Sequence, residues 1–228
     1  MKLGIILTPN SRSKAYIQKI IKNNFTINEI IFLNDNESEP IFENKEIKES
    51  KKHGFDLSQS VISTLKKNNK KFTEFNFVDI NHPKLIHFLS QSESDTFIFT
   101  GGGILRDEIL NCGKQFIHFH PGIVPQYRGS TCFYYSILNE KKCGVTAFFM
   151  DKNLDTGKII FQKSFDPPNH EFIDNVYDSF IRSETMVEVL KNKYFESNSL
   201  KEQPKIGETY YIIHPVLKHL AILSCVND

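Results

Sequence analysis

The sequence lacks a long hydrophobic run and carries almost no net charge. No apolar stretch approaches the roughly 18 to 20 residues that a membrane helix needs, so a membrane span is not expected. Lys and Arg number 28 against 27 Asp and Glu, and a net charge of +1 gives no electrostatic footprint for nucleic acid. These absences favour a small-molecule partner over nucleic acid or a membrane.

Paired cysteines and nucleotide-binding glycine motifs are also missing. Gly101-Gly102-Gly103 matches neither G-x-x-x-x-G-K-[ST] nor G-x-G-x-x-G, so the sequence does not support a nucleotide phosphate cradle. The four cysteines form no C-x-x-C pair, which argues against a zinc ribbon or a disulfide scaffold and favours reduced thiols in a cytoplasmic protein; they are Cys112, Cys132, Cys143 and Cys225.

Apolar runs alternate with helical patterns along the first half of the chain. Strands are predicted at residues 2–7, 29–33, 71–78 and 96–100, and helices at 11–23, 55–67 and 82–91. Further on, the patterns predict a helix near 105–110, a strand at 115–119, a helix near 130–139 and a strand pair at 145–150 and 158–165. This alternation predicts an α/β, Rossmann-like fold with a mostly parallel, twisted sheet flanked by helices.

The rest of the chain is assigned by composition and periodicity. Residues 171–194 form a long amphipathic pattern that we expect to pack across the sheet. Residues 34–52 are polar and rich in turn formers, which is typical of an exposed excursion. We therefore predict a main domain at 1–195, with a linker and a short C-terminal extension at 196–228.

Two histidines and an aspartate are the residues most suggestive of chemistry. His118 and His120 are two positions apart at the end of a predicted strand, so their side chains share a face at the sheet edge where α/β folds bind ligands. Asp155 follows in a Leu-Asp-Thr-Gly turn, where an Asp is also an ordinary turn former. Imidazole and carboxylate are zinc and iron ligands as well, so these residues leave a metal site open as an alternative.

Three motifs in residues 116–157 occur in a fixed order: His118-Phe119-His120, Pro125-Gln126-Tyr127-Arg128-Gly129 and Leu154-Asp155-Thr156-Gly157. As a set they resemble the 10-formyltetrahydrofolate-dependent formyltransferase family. That family's signature runs Asn-x-His, Leu-Pro-x-(Tyr/Trp)-(Arg/Pro)-Gly and Leu-Asp-(Thr/Gly)-Gly. The residues around the histidines and the aspartate therefore favour this family over a metal site, and no metal is expected. His118 departs from the pattern, since it stands where the family has Asn.

The resemblance implies catalytic roles for His118, His120 and Asp155. His120 is expected to donate a hydrogen bond to the developing oxyanion as an imidazolium, and Asp155 to hold it in that state and move protons. The family Asn donates at any pH, whereas the imidazole of His118 donates only in the right tautomer or when protonated. His118 therefore implies either a pH-dependent donor or a catalytically impaired binding protein.

The resemblance also implies binding residues. The pterin of 10-formyltetrahydrofolate, the expected co-substrate, is predicted to contact Gly101, Gly102, Gly103, Ile104, Leu105, Phe149, Met150 and Asp151. Tyr127 and Arg128 are predicted to shape the loop after the histidines and to contact the acceptor. For Arg128, a purely structural tether and a contact with an anionic substrate are both open.

Among formyltransferases, the chain is most similar to those acting on amino sugars, free or nucleotide-linked. Methionyl-tRNA formyltransferases look like this core followed by a barrel domain, whereas a short tail is present here. Glycinamide ribonucleotide formyltransferases have a glycine-rich loop where this chain has Thr8-Pro9-Asn10-Ser11. A glycinamide-ribonucleotide-type enzyme and a formyltetrahydrofolate hydrolase remain alternatives. The oligomeric state is open, with a homodimer among the options.

Overall fold

The computed structural model describes residues 1–34, 40–197, 200–204 and 206–226. The chain divides into two compact units. Unit 1 comprises Met1–His118 with Met150–Lys152, and unit 2 comprises Phe119–Phe149 with Asn153–Asp228. Parts of the polar stretches predicted at 34–52 and 196–207 lie outside the described residues.

Unit 1 is built from parallel strands and the helices that connect them. Its strands are β1 Leu3–Leu7, β2 Glu29–Leu33, β3 Thr73–Phe75, β4 Thr96–Phe99 and the first part of β5 Gln115–His120. Its helices are α1 Ser11–Lys22, α2 Asn44–Lys52, α3 Val61–Lys67, α4 Pro83–Gln91 and α5 Asp107–Leu110. All residues of β1 and β4 are buried, as expected for parallel strands covered on both faces.

Unit 2 combines an antiparallel strand pair, a small second sheet and three helices. Its elements are β6 Tyr127–Gly129, α6 Cys132–Glu140, β7 Cys143–Phe149, β8 Ile159–Phe165, a π-helical turn Ile173–Tyr177, α7 Asp178–Asn192, a 3-10 turn Tyr194–Glu196, β9 Glu208–Tyr210 and α8 Pro215–Val226. β7 and β8 are antiparallel, and α7 packs against both. The amphipathic pattern at 171–194 is thus a helix on the sheet, as predicted.

The strand order confirms the predicted fold class. Within the described residues, seven strands form one sheet in the order β3-β2-β1-β4-β5-β7-β8; the pairs among β1 to β5 are parallel, and β8 is antiparallel to β7. A second, two-stranded sheet pairs β6 with β9 in parallel. The C-terminal extension therefore contributes a strand to the same structure as the Tyr-Arg-Gly motif.

Three predicted elements differ from the structure. The excursion at 34–52 contains α2, which a capping box between Glu43 and Glu46 starts. The helix predicted at 55–67 begins only at Val61, because the side chain of Ser60 accepts the amide of Ser63 and caps it there. The strand predicted at 71–78 ends at Phe75. Among the described residues, no helix is both long and apolar enough to cross a membrane.

Candidate active site

His120 ends β5 and is buried in unit 2. Its residue is 2% exposed, and its Nε2 atom lies 2.8 Å from the carbonyl oxygen of Tyr127. Because a carbonyl only accepts, this contact assigns a ring proton to Nε2. On the other side of the ring, Nδ1 lies 3.4 Å from Oδ2 of Asp155. The imidazole therefore lies between a loop carbonyl, to which it donates, and the carboxylate of Asp155.

Asp155 occupies a tight turn between β7 and β8. Its φ of 54° is in the left-handed region, which Asp and Asn adopt more readily than most residues with a Cβ. Two positions later, a Cβ on Gly157 would lie 1.6 Å from the carbonyl oxygen of Phe149, so the close approach of the backbone requires glycine. The Leu-Asp-Thr-Gly motif is thus explained by the geometry of the turn as well as by its carboxylate.

The backbone amide of Gly129 donates a hydrogen bond of 2.7 Å to Oδ2 of Asp155. The same oxygen faces His120, so one carboxylate atom has both a backbone donor and the imidazole as neighbours. Gly129 has a φ of 101°, and a Cβ there would lie 2.1 Å from the carbonyl oxygen of Tyr210. A glycine at this position lets β6 pair closely with β9 while its amide fixes the aspartate.

Burial sets the protonation of His120. Loss of solvent lowers the pKa of the imidazole and is the largest influence; Asp155 raises the pKa, and Arg182 lowers it. The net direction is below the ordinary value for histidine, because desolvation outweighs a carboxylate at 3.4 Å. The structure therefore favours a neutral ring near neutral pH, in contrast to the imidazolium expected from the sequence.

A buried ion pair on α7 supports the end of β5. Arg182 donates from Nε to Oδ1 of Asp178 at 2.7 Å and from Nη1 to the carbonyl oxygen of Phe119 at 2.8 Å. Both charged side chains are nearly inaccessible, at 8% and 7% exposure. The guanidinium thus fixes the backbone immediately before His120.

Tyr127 lies at the start of β6, and its side chain is buried beneath the loop. Its residue is 5% exposed, its hydroxyl donates to Oε1 of Glu140 at 2.7 Å, and its ring stacks on Tyr210. Burial, followed by the bond to Glu140, raises the pKa of Tyr127 to about 12. The predicted contact of Tyr127 with an acceptor remains a prediction.

The side chain of Arg128 is also buried. The residue is 8% exposed, and its guanidinium donates to Oε1 of Gln203 at 2.8 and 3.1 Å and to the carbonyl oxygens of Pro204 and Ile206. These are the contacts of a structural tether, the first of the two roles considered for this residue. A contact of Arg128 with an anionic substrate remains a prediction.

His118 belongs to unit 1 and is half-buried, in contrast to the fully buried His120. β5 continues through His120, one residue beyond the predicted end, so both histidines lie in the strand at positions i and i+2. A catalytic role for His118 remains a prediction.

The glycine segment after β4 presents open backbone in unit 1. Among the described atoms, a Cβ on Gly102 or Gly103 would meet nothing within 4 Å, and Ile104 is 58% exposed. The side-chain amide of Asn81 donates to the carbonyl oxygen of Ile104 at 3.0 Å and accepts the amide of Arg106 at 2.8 Å. This loop is therefore held from one side and open at Gly102 and Gly103, which suits close approach by a flat ring. Gly101 is buried, since a Cβ there would lie 2.4 Å from the ring of Phe99, and its predicted folate contact remains a prediction.

The other predicted folate contacts are less accessible. Leu105 is 1% exposed and packs with Met150 in a hydrophobic cluster of unit 1, so its side chain supports the loop from the core. Asp151 is half-buried in unit 1, and Phe149 is 8% exposed at the end of β7 in unit 2. A direct role in folate binding stays a prediction for all of them.

Several residues that support the site were not identified from the sequence: Asn81, Asp178, Arg182 and Gln203. The Asp178–Arg182 pair did leave a signal, because opposite charges at i and i+4 of a helix are close enough to pair, but this spacing does not reveal that the pair is buried. Gln203 left none, since it lies in a polar stretch that resembles a linker. Gly129 was part of a predicted motif, but its hydrogen bond to Asp155 could only be seen in the structure.

The comparisons with known proteins all point to the same family. The family model described as formyl transferase matches residues 14–191. A methionyl-tRNA formyltransferase from Caldanaerobacter subterraneus subsp. tengcongensis is 29% identical over 136 residues, which cover 58% of this chain and 44% of that relative. The matched region thus spans less than half the length of this curated relative.

Two solved structures resemble the chain over 99% of its length. A sugar N-formyltransferase from Shewanella sp FDAARGOS_354 superimposes with a TM-score of 0.64 at 18% identity, covering 88% of that chain. An N-formyltransferase from Helicobacter canadensis, in complex with folinic acid and dTDP-3-aminofucose, gives a TM-score of 0.64 at 16% identity and 80% coverage. At this level of identity the likeness establishes the fold.

Proposed function

The chain belongs to the formyl transferase family, and we propose that it transfers a formyl group from 10-formyltetrahydrofolate to the amine of a small acceptor. The observation that carries this proposal is the His120–Asp155 pair, a buried imidazole 3.4 Å from a carboxylate in a left-handed turn. Residues in strained backbone conformations are enriched at active sites, which supports a functional role for Asp155.

The reaction defines what the site must do. The amine nitrogen bonds to the formyl carbon, the bond from that carbon to the folate nitrogen breaks, and one proton passes from the amine to the folate nitrogen. Negative charge builds on the formyl oxygen during the attack and needs a hydrogen-bond donor. A group that accepts the proton of the amine and later donates it to the folate nitrogen completes the proton transfer.

Asp155 and His120 supply these groups in the proposal. Asp155 is 12% exposed, so its carboxylate reaches solvent from the turn and can accept the amine proton, directly or through water. In the proposal His120 donates to the developing oxyanion through its Nε2–H, the same group that contacts the carbonyl oxygen of Tyr127, because a neutral ring carries one ring proton. One such donor typically lowers the barrier by about 2.7 to 4 kcal/mol. The desolvated site strengthens both interactions.

The loop at Gly102, Gly103 and Ile104 is the proposed folate contact. Its open glycine backbone and the exposed Ile104 fit a flat, partly apolar ring, and Asn81 keeps the loop in place. The folate would supply the formyl group at the oxidation level of formate. The buried Leu105 and the partly buried Met150 would support this surface from beneath.

The proposed acceptor is the amine of an amino sugar, free or nucleotide-linked. The structural similarity to sugar N-formyltransferases over nearly the whole chain supports this class. A net charge of +1 favours a small acceptor over tRNA. A cytoplasmic location, a homodimeric state and the restriction of catalysis to residues 1–195 are untested predictions.

Incubation with 10-formyltetrahydrofolate and a panel of amines tests the function. The panel contains free and nucleotide-linked amino sugars, glycinamide ribonucleotide and a reaction without amine, and both tetrahydrofolate release and product mass are followed. We expect an amine-dependent product that gains one formyl group. Release of formate at the same rate without amine would instead identify a hydrolase. Folate binding without turnover would identify a binding protein.

A further inference from the structure

Gln203 lies outside the part of the chain that the family model matches, yet its side chain contacts the turn that carries Asp155. Its Nε2 atom donates to the carbonyl oxygen of Asp155 at 3.0 Å and to that of Gly157 at 2.8 Å. Its Oε1 atom accepts two hydrogen bonds from the guanidinium of Arg128. The single amide thus connects the turn after β7 with the loop that forms β6.

The orientation of this amide is fixed by its partners. A side-chain amide has two N–H donors and two acceptor lone pairs, and Gln203 uses all four. Rotating it by half a turn would place the NH₂ group against the guanidinium of Arg128 and the oxygen against two carbonyls. One rotamer is therefore strongly preferred, and the amide is a rigid link between the two loops.

The segment around Gln203 is anchored on both sides. Lys201 exchanges two backbone hydrogen bonds with Ile159 at the start of β8, at 2.8 and 3.2 Å. After Gln203, the chain accepts two hydrogen bonds from Arg128 and then pairs as β9 with β6. The segment therefore joins the first residue of β8 to the strand that contains Gly129.

The turn requires such support. Asp155 has a φ of 54°, and a residue with a Cβ is disfavoured in the left-handed region unless its surroundings hold it there. Gly129 holds the carboxylate through Oδ2, whereas Gln203 holds the backbone carbonyl of the same residue. Together these contacts fix both ends of the aspartate relative to His120.

We propose that Gln203 is a positioning residue for catalysis, which holds the Asp155 turn in the geometry that presents the carboxylate to His120. The proposal rests on the catalytic role of Asp155 given above. It also assigns a catalytic contribution to Gln203, which lies in the polar stretch 196–207 that the sequence predicts to be a linker.

Two substitutions at Gln203 distinguish a role in positioning Asp155 from a purely structural link to Arg128. Gln203→Glu keeps the size of the side chain and its bond to Arg128, but it replaces the donor facing the carbonyls of Asp155 and Gly157 with an oxygen. Gln203→Ala removes both connections. The control is Glu202→Ala, because Glu202 is the neighbouring residue, is 73% exposed and pairs with Lys158 on the surface.

The variants are compared by kcat, by KM for each substrate and by thermal unfolding. We expect Gln203→Glu and Gln203→Ala to lower kcat by about 10- to 100-fold with KM changed by less than about threefold, because a displaced catalytic group affects the reaction more than binding. Glu202→Ala is expected to retain the wild-type kcat. Wild-type kcat in Gln203→Glu, or a loss in both variants that only follows the unfolded fraction, would overturn the proposal.

A second readout does not depend on the reaction. Hydrogen exchange of the Gly129 amide reports whether Asp155 still accepts its bond, and we expect this exchange to accelerate at least about tenfold in Gln203→Glu relative to wild type and Glu202→Ala. Unchanged exchange in Gln203→Glu would contradict positioning even if the protein has no transferase activity. If wild type transfers no formyl group but this exchange accelerates as expected, the proposed function fails while the structural role of Gln203 stands.

Discussion

Oδ2 of Asp155 accepts the amide of Gly129 at 2.7 Å and lies 3.4 Å from Nδ1 of His120. One oxygen atom thus links the loop after β5 to the turn after β7. This relationship explains why the histidine, the Tyr-Arg-Gly loop and the Asp turn recur as one signature. Each of the three segments provides an atom to the same carboxylate contact.

Asp155→Asn tests the role of the carboxylate. Asn tolerates the left-handed conformation that the turn requires, so the fold should be retained, but the amide cannot accept a proton from the amine. We expect kcat to fall by about 10² to 10⁴ with little change in KM, in steady-state assays of formyl transfer. A variant with more than about half of the wild-type kcat would rule out Asp155 as the proton-transfer group.

His118→Asn restores the residue that the family has at this position. An amide donates a hydrogen bond at any pH, whereas an imidazole changes its donor pattern as it titrates. We expect turnover to be equal to or higher than that of wild type, measured as kcat in steady-state assays of formyl transfer. Loss of activity in a folded variant would show that the imidazole of His118 has a specific chemical role.

The stability of the protein should fall below about pH 6.5 because of His120. Burial lowers the pKa of this imidazole in the folded state, so the unfolded chain takes up a proton at a higher pH than the folded one. Each pH unit between the two values therefore costs up to about 1.4 kcal/mol of unfolding free energy. In urea titrations at several pH values, His120→Gln should show a weaker loss on acidification.

The same substitution at an exposed histidine is the control for this experiment. His219→Gln on α8 changes the same side chain where it is solvated. It should leave the wild-type pH dependence of stability in place. An identical pH dependence in wild type and His120→Gln would mean that the buried ring does not resist protonation.

Gly157→Ala tests the backbone geometry of the Asp155 turn. A Cβ there would lie 1.6 Å from the carbonyl oxygen of Phe149, so the turn must open. We expect the free energy of unfolding to fall by at least about 2 kcal/mol, measured by denaturant titration. Gly102→Ala is the matched control, because the added methyl group has open space; it should change stability by less than about 0.5 kcal/mol.

The strands of unit 1 could be predicted because parallel strands buried on both faces are continuous apolar runs, as in β1 and β4. α2 was missed because Ile47 is the only apolar residue among its nine positions, although its capping box at Glu43 and Glu46 is a local signal. His120 and Asp155 could be selected as candidates because they lie in sequence motifs, and their catalytic roles stay predictions. Gln203 could not, because its importance arises only when distant segments meet.

The protonation state of His120 is a second feature that the sequence alone could not predict. The sequence supplies an aspartate that raises the pKa of the ring, and this suggested an imidazolium. The fold adds complete burial and Arg182, which together lower the pKa by more. The motif reveals neither the burial of His120 nor the position of Arg182. Only the structure therefore shows that the effects lowering the pKa of His120 outweigh the effect of Asp155, which raises it.

The most direct test of the central claim is transfer of an isotopically labelled formyl carbon from 10-formyltetrahydrofolate to an amino-sugar acceptor, compared between wild type and Asp155→Asn. We predict that wild type forms labelled N-formyl product and tetrahydrofolate in equal amounts, and that Asp155→Asn forms little of either. Tetrahydrofolate released with labelled formate and no formylated amine, or equal product from both proteins, would contradict the account.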